Sequence, residues 1–304
     1  MRSRPDVLVL GAGGVLGEAW MSGVLAGIED AAGINMCHCE HFVGTSAGSI
    51  VAAHLAAGRS PRRPSSFGTG LERIAPPQDT GVAATALEAA RRIGGYALAA
   101  GTPLAPVALA ATGPGGSLVR SAILSRIPPG TDRLEDLRDR IDALETRFDG
   151  RLRIACVDRL TGRRIVFGSP GAPPATVAQA VTASCAIPWL FAPVWIAGRQ
   201  YVDGGIWSVS NLDAAPVARD TYVLCLNPTS GLAGARTALA AARNLIRSAV
   251  SIEALALRRR GAIVQTITPD GDSSAAIGAN FMDAEPRGRV LAAGYAQGLA
   301  LGRR

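Results

Sequence analysis

Apolar residues fall along this chain in two rhythms. The stretch "DVLVL" (6–10) is an unbroken apolar run that ends in glycines, the pattern of a short strand buried in a parallel sheet. The spacing then changes to threes and fours at Trp20, Val24 and Ile28, with Met21 and Leu25 beside them. That is one face of an amphipathic helix, and Gly33 marks its end. "EHFV" (40–43) reads as a second strand, and "AGSIVAAHLAAG" (47–58) as a helix closed by Gly58. Strand, helix, strand, helix predicts a mainly parallel sheet covered by helices.

From 59 to 149 the regularity lapses. "RSPRRPSSFGTG" (59–70) reads as a loop, and "TALEAARRIGGYALAA" (85–100) is weakly helical. Residues 133–148 space Leu134, Leu137, Ile141 and Leu144 among charges, which predicts a surface helix. The region is expected to be a helical insertion within the domain. Its uncharged stretch 93–113 holds Pro103 and Pro106 among several glycines, which disfavours a continuous membrane-spanning helix. That stretch is expected instead to border the site and touch lipid.

Strands resume at 151–158 and 163–169, as a hairpin around Thr161 and Gly162. "ATVAQAVTASC" (175–185) reads as a helix. "VWIAGRQYVDGG" (194–205) reads as two strands joined at Ala197 and Gly198 and ending at Asp203. A buried strand at 221–228, a long helix at about 234–260, a strand at 262–269 and a terminal helix from 286 complete the pattern.

Composition narrows the class. Apolar residues make up 48% and charged residues 18%, enough for a sizeable core and against global disorder. The formal charge is +7, carried by arginine alone. Arginine pairs with phosphate and carboxylate, so anionic headgroups are conceivable partners. The arginines form only short groups and aromatics are 5%, so no nucleic-acid partner is expected. Five cysteines, an odd number set in apolar runs, suit a reducing compartment, and a cytoplasmic protein with at most peripheral membrane contact is expected. The beginning of the chain superficially resembles a signal peptide, but Asp6 and the glycines make it a strand of the mature fold.

"VGTSAGS" (43–49) carries the first candidate chemistry. Gly44, Ser46 and Gly48 spell G-x-S-x-G between a strand and a helix, the frame that holds a nucleophilic serine on a strained turn. Gly44 and Gly48 are small where strand and helix nearly touch, and the helix N-terminus favours developing negative charge at Ser46. "GAGGVLG" (11–17) follows strand one. It could be a dinucleotide loop, but the second strand then ends in the serine turn rather than an acidic residue. It reads better as an oxyanion hole, with backbone donors at Gly11, Gly13 and Gly14.

A nucleophilic serine needs a base, and the histidines are only His38, His41 and His54. His54 lies two turns along the same helix as Ser46 and reads as an ordinary helix residue. A partly desolvated carboxylate can do the work. Asp203, at a strand end before Gly204 and Gly205, is the candidate, with a plain Asp-Gly turn as the alternative. "CHCEH" (37–41) offers five metal-ligand types, but alternate strand residues face opposite ways and no second ligand pair follows, so no metal is expected.

These blocks together resemble the patatin-like phospholipases, from residue 6 to about 215. "GAGGVLG", "GTSAG" and "DGG" stand in the family's order, and "ASCAIPWLF" (183–191) resembles its Ala-Ser-x-Ala-x-Pro-x-x-Phe block. The tail around "NFMD" (280–283) is similar less clearly. The resemblance implies a three-layer α/β fold, a single domain over 6–304 with a motif-bearing core at 6–58 and 150–215, and no cofactor. It implies Ser46 as nucleophile and Asp203 as general base, supported by Gly17, Gly44, Gly48, Gly204 and Gly205. The implied activity is hydrolysis of lipid esters. Ala12 and Leu16 depart from the family's Gly-Gly-Gly-x-Arg-Gly loop, while Gly13, Gly14 and Gly17 match it. A soluble carboxylesterase or thioesterase, a nucleotide-binding module and a non-catalytic membrane-binding module are the alternatives.

Overall fold

A computed structural model describes residues 3–64, 116–231 and 237–303. The stretch 93–113 and most of the expected insertion lie outside the described residues.

The fully buried strand β1 (Val7–Leu10) leads into α1 (Gly14–Ala32). Gly33 ends α1 in the left-handed region at φ 66°, where its N–H reaches Glu29 O. β2 (His41–Gly44) and α2 (Ala47–Ala56) follow. After α3 (Ser117–Arg126) and α4 (Glu135–Asp142) come β3 (Leu152–Asp158), β4 (Arg164–Phe167) and α5 (Val177–Cys185). The remaining elements are β5 (Val194–Ile196), β6 (Arg199–Asp203), β7 (Tyr222–Leu226), α6 (Thr237–Arg259), β8 (Ile263–Ile267), α7 (Gly271–Ile277) and α8 (Arg287–Gly302).

The strands form one sheet in the order β5-β6-β3-β2-β1-β7-β8, with β4 pairing β3 off this path. From β3 to β8 the neighbours run parallel, as the strand-helix alternation predicts. β4, β5 and β6 pair antiparallel, so the sheet is mixed. Both expected hairpins supply this antiparallel part; Ala197 and Gly198 carry the second at φ 47° and 77°. Flanking helices complete a three-layer α/β fold.

β3 has a feature the strand pattern does not reveal. β4 pairs with residues 154–157 of β3, overlapping both the β2 ladder (152–154) and the β6 ladder (156–158). A strand has two edges, so β2 and β6 share the edge opposite β4. β2 arrives parallel to β3 and β6 antiparallel, and their carboxyl ends meet head-on.

α1 and α8 touch backbone to backbone. A Cβ at Gly23 would stand 2.3 Å from Leu291 O, and one at Gly27 2.2 Å from Tyr295 O. The helix expected over 133–148 is shorter. Leu134 is left-handed at φ 55°, with its N–H on Asp132 Oδ1 at 2.9 Å, and Glu145 is left-handed at φ 52°. Leu137 and Ile141 are buried by the helix, whereas Leu134 and Leu144 pack from the flanking turns. The short α7 was not expected; Asp270 caps it, accepting from Ser273 N at 2.9 Å.

Candidate active site

The serine turn is built as its glycines demand. Ser46 has φ 51° and ψ −122°, a strained conformation for a residue with a side chain. A Cβ at Gly44 would lie 2.5 Å from Ser49 Cα, and one at Gly48 would lie 2.0 Å from Leu10 O. Neither position tolerates a side chain, because β1, β2 and the first turn of α2 converge there. Thr45 N donates to Leu10 O at 3.0 Å and fixes the turn to β1.

Asp203 ends β6 opposite Cys156, while Gly44 ends β2 opposite Ile154. The two carboxyl ends therefore face each other along one edge of β3, and the Ser46 side chain is near enough to the Asp203 carboxyl to pull its pKa down. β6 runs antiparallel to β3, so what sets its end against the serine turn is the shared edge of β3 and not a common strand direction. Ser46 is 6% exposed and Asp203 5%. Burial raises the Asp203 carboxyl to about 7, against the Gly205 N–H and the neighbouring Ser46 hydroxyl, which pull it down. The Gly205 bond is 2.7 Å. A Cβ at Gly204 would meet Ala155 O at 2.2 Å, so the turn must press flat on β3.

The glycine loop lies beside this pair: a Cβ at Gly205 would stand 3.5 Å from that of Ala12. Gly11 N donates to Leu226 O at 3.0 Å and Ala12 N to Val209 O at 2.7 Å. Of the three expected oxyanion donors, Gly11 has its amide engaged within the sheet, where it completes the β1–β7 ladder. Gly13 and Gly14 keep their amides free of internal hydrogen bonds among the described residues. A Cβ at Gly13 would meet Gly17 Cα and Pro228 Cβ, each at 2.8 Å. Leu16, where the family usually has arginine, is buried, and its N–H reaches Phe281 O at 3.1 Å. The "NFMD" tail is thus packed on the loop.

His54 Nδ1 engages Ile50 O of its own helix at 2.8 Å. Among the described residues no group of three or more His, Cys, Asp or Glu side chains is arranged to hold a metal. In "CHCEH", Arg151 Nη2 donates to Cys37 O and Cys39 O at 2.8 and 3.1 Å, and burial pushes the Cys39 thiol up to about 12.

Two positioning residues escaped the sequence reading. Ser184 Oγ accepts from Ser46 N at 2.8 Å and donates to Ala155 O at 2.8 Å, tying the turn to β3. Ser184 belongs to the Ala-Ser-x-Ala block, which was the available signal. Asn211 Nδ2 reaches Thr45 Oγ1 at 3.1 Å, Gly204 O at 3.3 Å and Ser208 O at 2.6 Å, so one amide links the Ser46 and Asp203 turns. No spacing marks Asn211.

An α/β sheet carrying a strained serine turn, a glycine loop and a buried carboxyl is the architecture of an acyl hydrolase. The chain belongs to the patatin-like phospholipase family, whose model matches residues 8–216. No curated protein sequence matches it. Among solved structures it is similar to VipD from Legionella pneumophila, at 16% identity and TM-score 0.43, over 99% of this chain and 67% of that one. It is also similar to the type III effector protein ExoU, at 16% identity and TM-score 0.41, over 98% of this chain and 53% of that one. The chain thus spans about two thirds of the first and about half of the second. Among the described residues no helix is long and apolar enough to cross a membrane.

Proposed function

We propose that the protein hydrolyses lipid esters through a Ser46–Asp203 dyad. The observation that carries this reading is a strained serine turn set end to end against a buried carboxyl whose pKa is raised to about 7. At that pKa the carboxylate is both ionised and basic near neutral pH. Asp203 takes the Ser46 proton as Oγ attacks the ester carbonyl carbon. The amides of Gly13 and Gly14 stabilise the oxyanion, aided by the helix N-terminus behind Ser46. Collapse forms an acyl-serine, and Asp203 gives its proton to the departing alcohol. Asp203 then deprotonates water, which releases the fatty acid and restores Ser46. Every proton passes through one carboxyl, which explains the lack of a role for His54.

The experiment is the intact mass of the protein after incubation with a fluorophosphonate. A single covalent adduct on the wild-type chain and none on Ser46→Ala is expected. No adduct on the folded wild type would overturn the reading. Comparing phosphatidylcholine vesicles with a soluble short-chain ester then separates a lipid hydrolase from a general esterase. The expected membrane contact of 93–113 belongs to this proposal; deleting its tip should impair vesicle hydrolysis more than hydrolysis of the soluble ester.

A further inference from the structure

A cleft of about 430 Å³ lies apart from the dyad, with no residue of the serine turn, the glycine loop or the Asp203 turn in its wall. Its volume falls in the range of small-ligand sites, roughly 300–1,000 Å³. Arg153 of β3, Arg164 of β4 and Arg260 just after α6 line it, with Asp213 and Ser169.

The arginines differ in their commitments. Arg164 is neutralised by Asp213 through two bonds, Nη1 to Oδ1 at 2.5 Å and Nη2 to Oδ2 at 2.8 Å. Among the described residues Arg153 and Arg260 bond only to backbone carbonyls, Arg153 Nη1 to Ala214 O at 3.0 Å and Arg260 Nη2 to Val217 O at 3.3 Å. Neither has a carboxylate partner among the described residues. Arg153 Nε is buried and has no hydrogen-bond acceptor among the described residues. Burial also holds the Arg153 guanidinium below its ordinary pKa, the mark of a cation short of an anion.

A buried charged donor with nothing to donate to is costly, and a ligand that brings the acceptor removes the cost. With one of three guanidinium groups already neutralised, the cleft carries two positive charges in excess. A phosphate monoester carries nearly two negative charges at neutral pH, and its oxygens match the guanidinium fork. Val166 and Pro216 in the same wall offer apolar surface to the carbon part of such an ester. We propose that this cleft binds a phosphate monoester, with Arg153 and Arg260 as its principal donors.

Two sources share that chemistry, a soluble phosphate ester and a lipid with a monoester headgroup. The full chain carrying Ser46→Ala, which leaves vesicle lipid intact, is titrated calorimetrically with sn-glycerol 3-phosphate. In parallel it is floated with phosphatidylcholine vesicles with and without phosphatidic acid. Saturable binding in either arm is expected, weakened at least tenfold by Arg153→Gln and by Arg260→Gln, and unchanged by Arg126→Gln on α3. Binding of the soluble ester identifies a free ligand; binding only to phosphatidic acid vesicles identifies a headgroup. Arg260 is exposed, so its variant keeps the test decisive if the strand residue Arg153 does not tolerate replacement. No binding in either arm, or binding that both cleft variants leave intact, would overturn the site. The readout is binding alone, so failure of the hydrolase reading leaves it standing.

Discussion

Asp203 sits opposite Cys156 on the same edge of β3 on which Gly44 sits opposite Ile154. Two strands of opposite direction thus end face to face, and the carboxyl of one meets the serine turn of the other. The glycines at both ends are steric necessities of this meeting.

If Ser46 and Asp203 act as a unit, removing either removes the whole. Ser46→Ala and Asp203→Asn should each lower kcat/KM on the order of a thousandfold or more, and the double variant should be scarcely worse. Additive losses would separate the two residues mechanistically. Steady-state kinetics on one ester decides it.

The raised carboxyl pKa sets the pH dependence. Asp203 is a base only when ionised, so kcat/KM should rise with pH up to about 7 and level off above it. A profile flat from pH 5 to 8 would contradict the assignment.

The same shift acts on stability in the opposite sense. The unfolded carboxyl titrates near 3.8 and the folded one near 7, so between these values the native state binds a proton that the unfolded chain has lost. That contribution is complete below pH 3.8 and is lost as pH rises to about 7. Asp203→Asn escapes the loss. It should melt higher than wild type at pH 8, with an upper bound of about 4 kcal/mol, and show no such gain at pH 4. Calorimetric melts at the two pH values test this.

Ser184→Ala should act on the turn. The buried Ser46 N–H loses its acceptor, at about 1–3 kcal/mol, and the strained backbone relaxes. kcat should fall about tenfold or more, with KM for a soluble ester little changed. An unaltered kcat would show that Ser184 only packs.

His54→Gln should keep most activity, because the ring bonds its own helix. Gly48→Ala should unfold or severely destabilise the protein, since the new carbon would lie 2.0 Å from Leu10 O. Gly288→Ala, with open space at its Cβ, is the control that should stay within about 1 kcal/mol of wild type. Equal melting temperatures for the two glycine variants would contradict the packing argument.

Sequence determined what depends on neighbours along the chain. The alternation of apolar runs and helical spacing defined the parallel strands, the two hairpins and the serine turn. Gly44 was legible because its reason is local, a strand and a helix joined by two residues, and Gly48 because it belongs to the same motif, although the carbonyl it must clear is Leu10 O on β1. The likeness of "DGG" and "ASCAIPWLF" to one family pointed to Asp203, although spacing alone left an ordinary turn open.

Tertiary structure decided what depends on contacts between distant segments. Only the shared edge of β3 sets the Asp203 turn against the serine turn, because strand direction is a property of pairing and not of a strand's own residues. Gly11 looked like Gly13 in sequence, yet β7 takes the Gly11 amide, while that of Gly13 has no internal hydrogen bond among the described residues. Asn211 joins Thr45 to Gly204 across segments that no period connects. The pKa of Asp203 is likewise set by burial, since a carboxyl becomes a base near neutrality only when the folded chain removes water from around it.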